Sequence, residues 1–338
     1  MRKKEYGSFH SRAPNKGLKD TMMNQSRANG FLLHRFSDIW EVQIFHINFF
    51  VIIYLVALIE NLIIITVIFY SHQLHTPMYF FLANLSLQDI SSISVTVPKS
   101  IANSLMKTQT ISYSECVCQI FFLVFFMMSH YAFHGVMAYD RYVAICNPLH
   151  YETVMNKKVC IQMATSAWIG GLFYATMYTG TTFRVEFCSN VINQFFCEIP
   201  QLLKNSCSDS DITVIWVVTF GVCLAFIYFA LIAFSYVQIF RAVLKIPSRH
   251  GKQKVFSTCL PHLIVITLFL VSGTFVYLRP TSRSPSAFDL LVSMFYCMVP
   301  PVMNPIIYSI RNKELKMAFW KLLVNIFPQF LDKNHSPF

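Results

Sequence analysis

The sequence predicts an all-α membrane protein, a seven-transmembrane helix bundle followed by a short amphipathic helix, and three observations carry this. The 338-residue chain is 55% hydrophobic but only 13% charged, whereas soluble domains carry about 25% charged residues. Its apolar residues gather into seven runs, each near the ~20 residues that a bilayer requires. Those runs are continuously apolar rather than alternating, which indicates helices and not a barrel.

Taken in order, residues 1–40 are polar and lack the apolar core of a cleavable signal peptide, so the first long apolar run is expected to serve as signal and anchor together. Residues 1–43 read as an extracellular tail. Its first part, 1–21, is basic and precedes a second possible start at Met22, so it reads as a dispensable extension. Asn24-Gln25-Ser26 is a glycosylation sequon on the predicted outer face. The spans then run over 44–70, 78–104, 115–139, 159–180, 211–241, 255–278 and 288–310, within a membrane domain of 44–310. Pro77, Pro98, Pro261, Pro300, Pro301 and Pro305 break or kink several of them. Residues 311–338 form a cytoplasmic tail, in which Leu315, Phe319 and Leu322 fall at helical spacing among lysines. That pattern suits a helix lying in the membrane interface.

Charge sets the orientation. Arg141, Lys157, Lys158, Arg241, Lys245, Arg249, Lys252 and Lys313 lie at one side, while the other holds only Lys107, Arg184, Lys204, Arg279 and Arg283 besides the N-terminal tail. The positive-inside rule therefore places the N-terminus outside and the C-terminus in the cytoplasm of a plasma-membrane protein. The net charge of +11 is scattered between apolar runs and not gathered on a polar domain, which argues against nucleic-acid binding.

The functional classes narrow further. No Ser/His/Asp set is evident, and none of the 10 glycines form a GxGxxG loop, so the chain does not read as an enzyme. Ten cysteines show no paired CxxC at zinc spacing, so no metal site is expected. Cys116, Cys188, Cys197 and Cys207 fall at a span end or in the long polar loop after the fourth span. Outside the cell such cysteines form disulfides, but four allow three connectivities and spacing does not choose among them. Asp89, Glu60 and Asn61 lie within spans, where acids are costly and mark function. Asp140-Arg141-Tyr142 ends the third span. Alone, such a triplet is a frequent accident at a membrane boundary.

Longer motifs remove that ambiguity. Met137 through Tyr151 (MAYDRYVAICNPLHY), Leu74 through Leu82 (LHTPMYFFL), Ser235-Tyr236, Lys254 through Cys259 (KVFSTC) and Pro301 through Glu314 (PVMNPIIYSIRNKE) occur in one order. With them the chain resembles the odorant receptors, a branch of the rhodopsin-like G-protein-coupled receptors, from Phe31 onward. The resemblance implies that Arg141 rests against Asp140 and, on activation, meets a Gα subunit with Tyr142, Tyr236, Asn304, Pro305 and Tyr308 taking part in the switch. It implies disulfides Cys116–Cys197 and Cys188–Cys207. It also implies a buried polar network of Asn61, Asp89 and Asn304, which in related receptors holds sodium or water. Here His130 stands near the level of Asp89, so an ion pair or polar cluster is an alternative to sodium, and no other cofactor is expected.

The ligand cavity expected among the outer halves of spans three, five, six and seven is assigned to Leu123, Met127, Met128, Phe220, Leu224, Gly273, Thr274, Tyr277 and Cys297. From Cys116 to Ser129 the third span has no carboxylate to neutralise an amine, and the seventh has no lysine for a retinal Schiff base. The apolar lining suits a small hydrophobic odorant. The partners implied are that odorant, membrane lipid and a stimulatory, olfactory-type heterotrimeric G protein. A non-olfactory chemosensory receptor of the same fold, a non-signalling product and a seven-helix transporter are the other readings, although no internal repeat of the transporter kind is present.

Overall fold

The computed structural model describes residues 30–34, 37, 39–207, 212–245, 247–278 and 287–326, apart from some side chains within the last two segments. Seven long helices occupy the seven apolar runs. They are α1 (Trp40–Tyr70), α2 (Pro77–Leu105), α3 (Tyr113–Cys146), α4 (Lys157–Thr182), α5 (Ile212–Lys245), α6 (Arg249–Leu278) and α7 (Ala287–Arg311), with α8 (Lys313–Ile326) following at once. Five of them are long and apolar enough, by length and composition, to cross a membrane over their described residues. The apolar stretch of α6 is shorter (Cys259–Val271), and α4 is diluted by Thr and Gly.

Local chemistry sets several ends. Pro77 opens α2, where its missing N–H costs nothing. Ser112 and Glu115 form a reciprocal capping box at the start of α3, with backbone-to-side-chain distances of 3.2 and 2.9 Å. The Asn156 side chain caps α4 by accepting from the Val159 N–H at 3.0 Å. The helix α1 begins at Trp40, inside the stretch assigned above to a tail reaching residue 43, and α7 runs to Arg311, one residue past the expected edge.

At 34 residues, α3 is about 50 Å long. It packs against α2, α4, α5 and α6 and is the central post of the bundle. Its contact with α4 is close. A Cβ added at Gly171 would run into the Ser129 hydroxyl and sit 2.9 Å from the Phe125 carbonyl oxygen, whereas Gly170 beside it faces open space. Gly171→Ala is therefore expected to destabilise by about 1–3 kcal/mol, since the obstructing carbonyl belongs to helix backbone. Gly170→Ala should be neutral, or stabilising by up to about 0.5–1 kcal/mol. Thermal unfolding of the two purified variants distinguishes these outcomes, and equal midpoints would refute the packing account.

Large apolar side chains such as Phe45, Phe69, Trp216 and Phe226 point outward. In water such a surface would aggregate; in a bilayer it meets acyl chains. At the end opposite Arg141, a small sheet of β1 (Phe31–Leu33), β2 (Thr110–Ile111) and β3 (Val191–Ile192) is ordered β2-β1-β3. The strand β1 pairs antiparallel with β2 and parallel with β3. Gly30 enters it at φ 71°, against the Ile111 carbonyl, where a side chain would collide.

Candidate functional site

At the inner end of α3, Asp140 is fully buried. Arg141 holds its Oδ2 through two guanidinium nitrogens, with Nε at 2.9 Å. The opposite oxygen, Oδ1, accepts from the Tyr151 hydroxyl at 2.7 Å. Tyr151 arrives there because Pro148 starts a turn of 3-10 helix (Pro148–His150), which leads into one α-helical turn (Tyr151–Val154). Burial, then the Asp140 carboxylate, pushes the Tyr151 phenol upward, so it remains a protonated donor. The carboxylate is thus held from both sides, as a buried charge requires. Beside it, the Tyr236 hydroxyl and His262 Nδ1 lie 2.7 Å apart and close α5 against α6. The Tyr308 hydroxyl is buried without a hydrogen-bond partner among the described residues.

Toward the middle of the bundle, the Asn304 amide donates to both oxygens of Asp89 at 3.2 and 3.0 Å. His130 Nε2 lies 3.6 Å from Asp89 Oδ1, close enough for attraction but beyond a good hydrogen bond. Asn61 donates to the carbonyls of Ala57 and Pro301 at 2.8 and 2.9 Å, and so bridges α1 to the proline-weakened α7. Below Asp89, His130, His134 and His262 form a ladder with ring centroids 5.8 and 5.5 Å apart, flanked by Phe269. Both ring nitrogens of His134, one each of His130 and His262, and Glu60 Oε2 are buried without a partner among the described residues. Unsatisfied polar atoms inside a bundle are costly, and the histidine ladder carries four of them.

At the other end, disulfides join Cys116 to Cys197 and Cys188 to Cys207. The first pins the long loop over α3. The Cys197 N–H also donates to Gln119 Oε1 at 2.8 Å, and Ser100 donates to the Phe195 carbonyl at 3.1 Å. Under this roof lies a cavity of about 50 Å³ whose lining includes Leu123, Phe126, Met127, Phe269, Tyr296 and Cys297, with Asp89 and His130 at its floor. A smaller space beneath Cys197–Pro200 shares Leu123, Met127 and Tyr296 with it.

Comparison with known proteins agrees with this architecture. The family model described as "Olfactory receptor" matches residues 50–326. Human olfactory receptor 14C36 is 48% identical over 307 residues, covering 90% of this chain and 98% of the relative. Human olfactory receptor 14I1 is 48% identical over 313 residues, covering 92% and 100%. The chain belongs to the olfactory receptor family. The mouse olfactory receptor 4E2 is 40% identical, with coverages of 88% and 96%. Squid rhodopsin superposes with a TM-score of 0.69 over 91% of this chain and 98% of its own at 17% identity, a likeness of fold. The receptor is therefore a non-enzymatic multi-pass membrane protein of the rhodopsin-like class, taking a small-molecule ligand and a G protein.

Of the ligand positions expected from sequence, Leu123, Met127 and Cys297 line the receptor's cavity. Met128 does not. It is rotated by one helical step into the cluster with Val124 and Tyr174, at the α4 side. Phe220 faces outward with its ring tilted against that of Tyr174 at a centroid distance of 6.2 Å, and Leu224 packs beside the same cluster. The Gly273 position lies 3.7 Å from the Tyr131 hydroxyl, measured to an added Cβ. Asn24 and the side chains of Thr274 and Tyr277 lie outside the described residues. Phe126 and Tyr296 also line the cavity and were not assigned from sequence, and Leu123, Met127 and His130 make an i, i+4, i+7 stripe along its α3 wall. Sequence reasoning missed Tyr151 as the second partner of Asp140, and His262 as the partner of Tyr236. It also missed Glu198, which brings a carboxylate to the roof from the loop and accepts from Ser293 at 3.0 Å.

Proposed function

We propose that the receptor binds a small, largely apolar, volatile odorant between α3, α6 and α7. The signal then passes to a stimulatory, olfactory-type G protein at the Arg141 end and raises cyclic AMP. The buried clasp of Asp140 by Arg141 and Tyr151 carries this reading, because it is a resting state with an identifiable release. Freed from Asp140, the Arg141 guanidinium becomes a donor array for a partner's carbonyls or carboxylates. The basic residues at the Arg141 end favour a cytoplasmic location for that end, with the N-terminus and the Asn24 sequon outside. The cavity is small beside the roughly 300–1,000 Å³ of drug-sized pockets, which favours ligands of few heavy atoms entering as the flexible Met127 side chain shifts.

The test is a cyclic-AMP reporter assay across an odorant panel, with surface staining of the same cells. A receptor at the surface that answers no ligand would defeat the signalling claim. The same reading expects no sodium at Asp89. Both carboxylate oxygens already accept from the Asn304 amide, and the other neighbour, His130, offers an imidazole instead of an oxygen ligand. Replacing external sodium by choline should leave the ligand response within about two-fold, a free-energy change of about 0.4 kcal/mol. His130→Glu, which supplies a carboxylate, should introduce sodium sensitivity. A wild-type response that moves tenfold with sodium would show that the ion binds.

A further inference from the structure

A cavity of about 300 Å³ lies between α1, α7 and α8, at the low end of the roughly 300–1,000 Å³ of small-molecule sites. Ile64, Val67 and Leu315 form its buried floor, and Ile63, Ile306 and Phe319 its half-buried walls. It shares no lining residue with the cavity under the roof. Ile59 and Leu62, close to Glu60 along α1, are exposed, so the groove opens to the lipid and not to the bundle interior.

One residue is out of keeping with this apolar lining. Glu60 faces the groove, and its Oε2 is shielded without a hydrogen-bond partner among the described residues. It lies about 15 Å from Tyr70, the last residue of α1, at ~1.5 Å of rise per residue, which is well inside a hydrocarbon core of roughly 30 Å. The adjacent Asn61 amide is already bonded to the Ala57 and Pro301 carbonyls. An acid at that depth is costly, and it marks a site for a partner.

The depth selects the partner. Phospholipid headgroups stay at the interface, so whatever meets Glu60 must arrive through hydrocarbon, and a neutral alkylamine does so. At the groove the proton moves from the carboxyl oxygen to the amine nitrogen, and the ammonium and carboxylate then lie side by side. Neither is left as a lone charge among apolar side chains. Lys316, exposed at the α8 end of the lining, disfavours a second cation there. The two charges therefore set a direction, with nitrogen at Glu60 and the chain toward α8.

We propose that this groove is a binding site for a lipophilic amine with a single alkyl chain, its nitrogen against the Glu60 carboxyl and its chain between α1, α7 and α8. The site also touches the switch helix. Pro305 and Ser309 of α7 belong to its lining, and Asn61 ties α1 to α7 through the Pro301 carbonyl. A seated amine braces α7 against α1.

Photolabelling tests the proposal with a readout that needs neither odorant nor G protein. The full-length receptor in phosphatidylcholine vesicles is irradiated with a tertiary alkylamine whose chain carries a diazirine, and labelled peptides are mapped. Label is expected within 60–67, 305–309 and 315–319. N,N-dimethyldecylamine should compete at least about ten-fold better than decanol, which offers only a neutral hydrogen bond. Glu60→Gln keeps the shape but removes the acid, and should raise the amine concentration for half-maximal labelling by about ten-fold or more, the loss of one charge-assisted hydrogen bond. Ile63→Phe narrows the groove without touching charge and should weaken labelling as well, and it serves on its own where the Glu60 variant fails to fold. Label spread evenly over the other helices, competition by decanol or cholesterol equal to that by the amine, or undiminished labelling of either folded variant would each overturn the proposal.

Discussion

Replacing Arg141 by alanine is expected to abolish ligand-stimulated cyclic-AMP production, down to the level of cells without receptor. The physical difficulty is that Arg141 does two jobs. It is the group proposed to meet the G protein, and it is also the counter-ion of a fully buried carboxylate. Removing one partner of a buried pair commonly costs about 3–5 kcal/mol, because the other charge is left uncompensated. Arg141→Ala alone could therefore fail through misfolding. The discriminating variant is Asp140→Asn with Arg141→Ala. Its amide is neutral and still accepts from Tyr151 through its oxygen, so surface amounts should stay within about two-fold of wild type, roughly 0.4 kcal/mol, while signalling remains absent. Asp140→Asn alone should go the other way and raise signalling without ligand, since it weakens the clasp and leaves Arg141 in place. Surface staining beside the reporter separates the terms. A double variant that still answers ligand would remove Arg141 from the mechanism.

How much of this was legible in the sequence follows from the range of each interaction. The seven helices were, because a run that must satisfy its backbone inside lipid has one solution, and each run declares itself locally. The sheet was not. Its strands are two or three residues long, and Phe31 pairs with Ile111, far along the chain, so no period exists to be read. The clasp on Asp140 was half legible. Asp140 and Arg141 are neighbours in sequence and meet without help, but Tyr151 reaches Asp140 only through the geometry of the Pro148 turn. His262 reaches Tyr236 only because α5 and α6 pack together.

In the cavity lining the limit was rotational. Met127 and Met128 differ by about 100° around α3, and sequence alone does not say which faces the cavity. The structure gives that face to Met127 and turns Met128 toward Tyr174. Glu198 is not legible as part of the cavity because it belongs to no span and hangs from a loop tied down by a disulfide.

That tie makes Cys197→Ser the second large effect: the variant is expected to be nearly absent from the cell surface. The Cys116–Cys197 bridge joins residues 81 apart, and removing a native disulfide typically costs about 2–5 kcal/mol. Here the cost compounds. Both sulfurs are fully buried, the Cys197 backbone is the donor to Gln119, and β3 lies on the same loop, so the sheet loses its edge when the loop lifts. Cys188→Ser is the internal comparison. Its bridge spans 19 residues and Cys188 is exposed, so chain entropy alone makes it weaker by about 1.3 kcal/mol. The expected order at the surface is wild type, then Cys188→Ser, then Cys197→Ser, with thermal unfolding of purified protein following the same order. Equal losses would mean that the two bridges act as one unit. Wild-type surface levels for Cys197→Ser would mean that the hydrogen bonds to Gln119 and from Ser100 hold the roof without it, and the cavity beneath would then owe its shape to the helices alone.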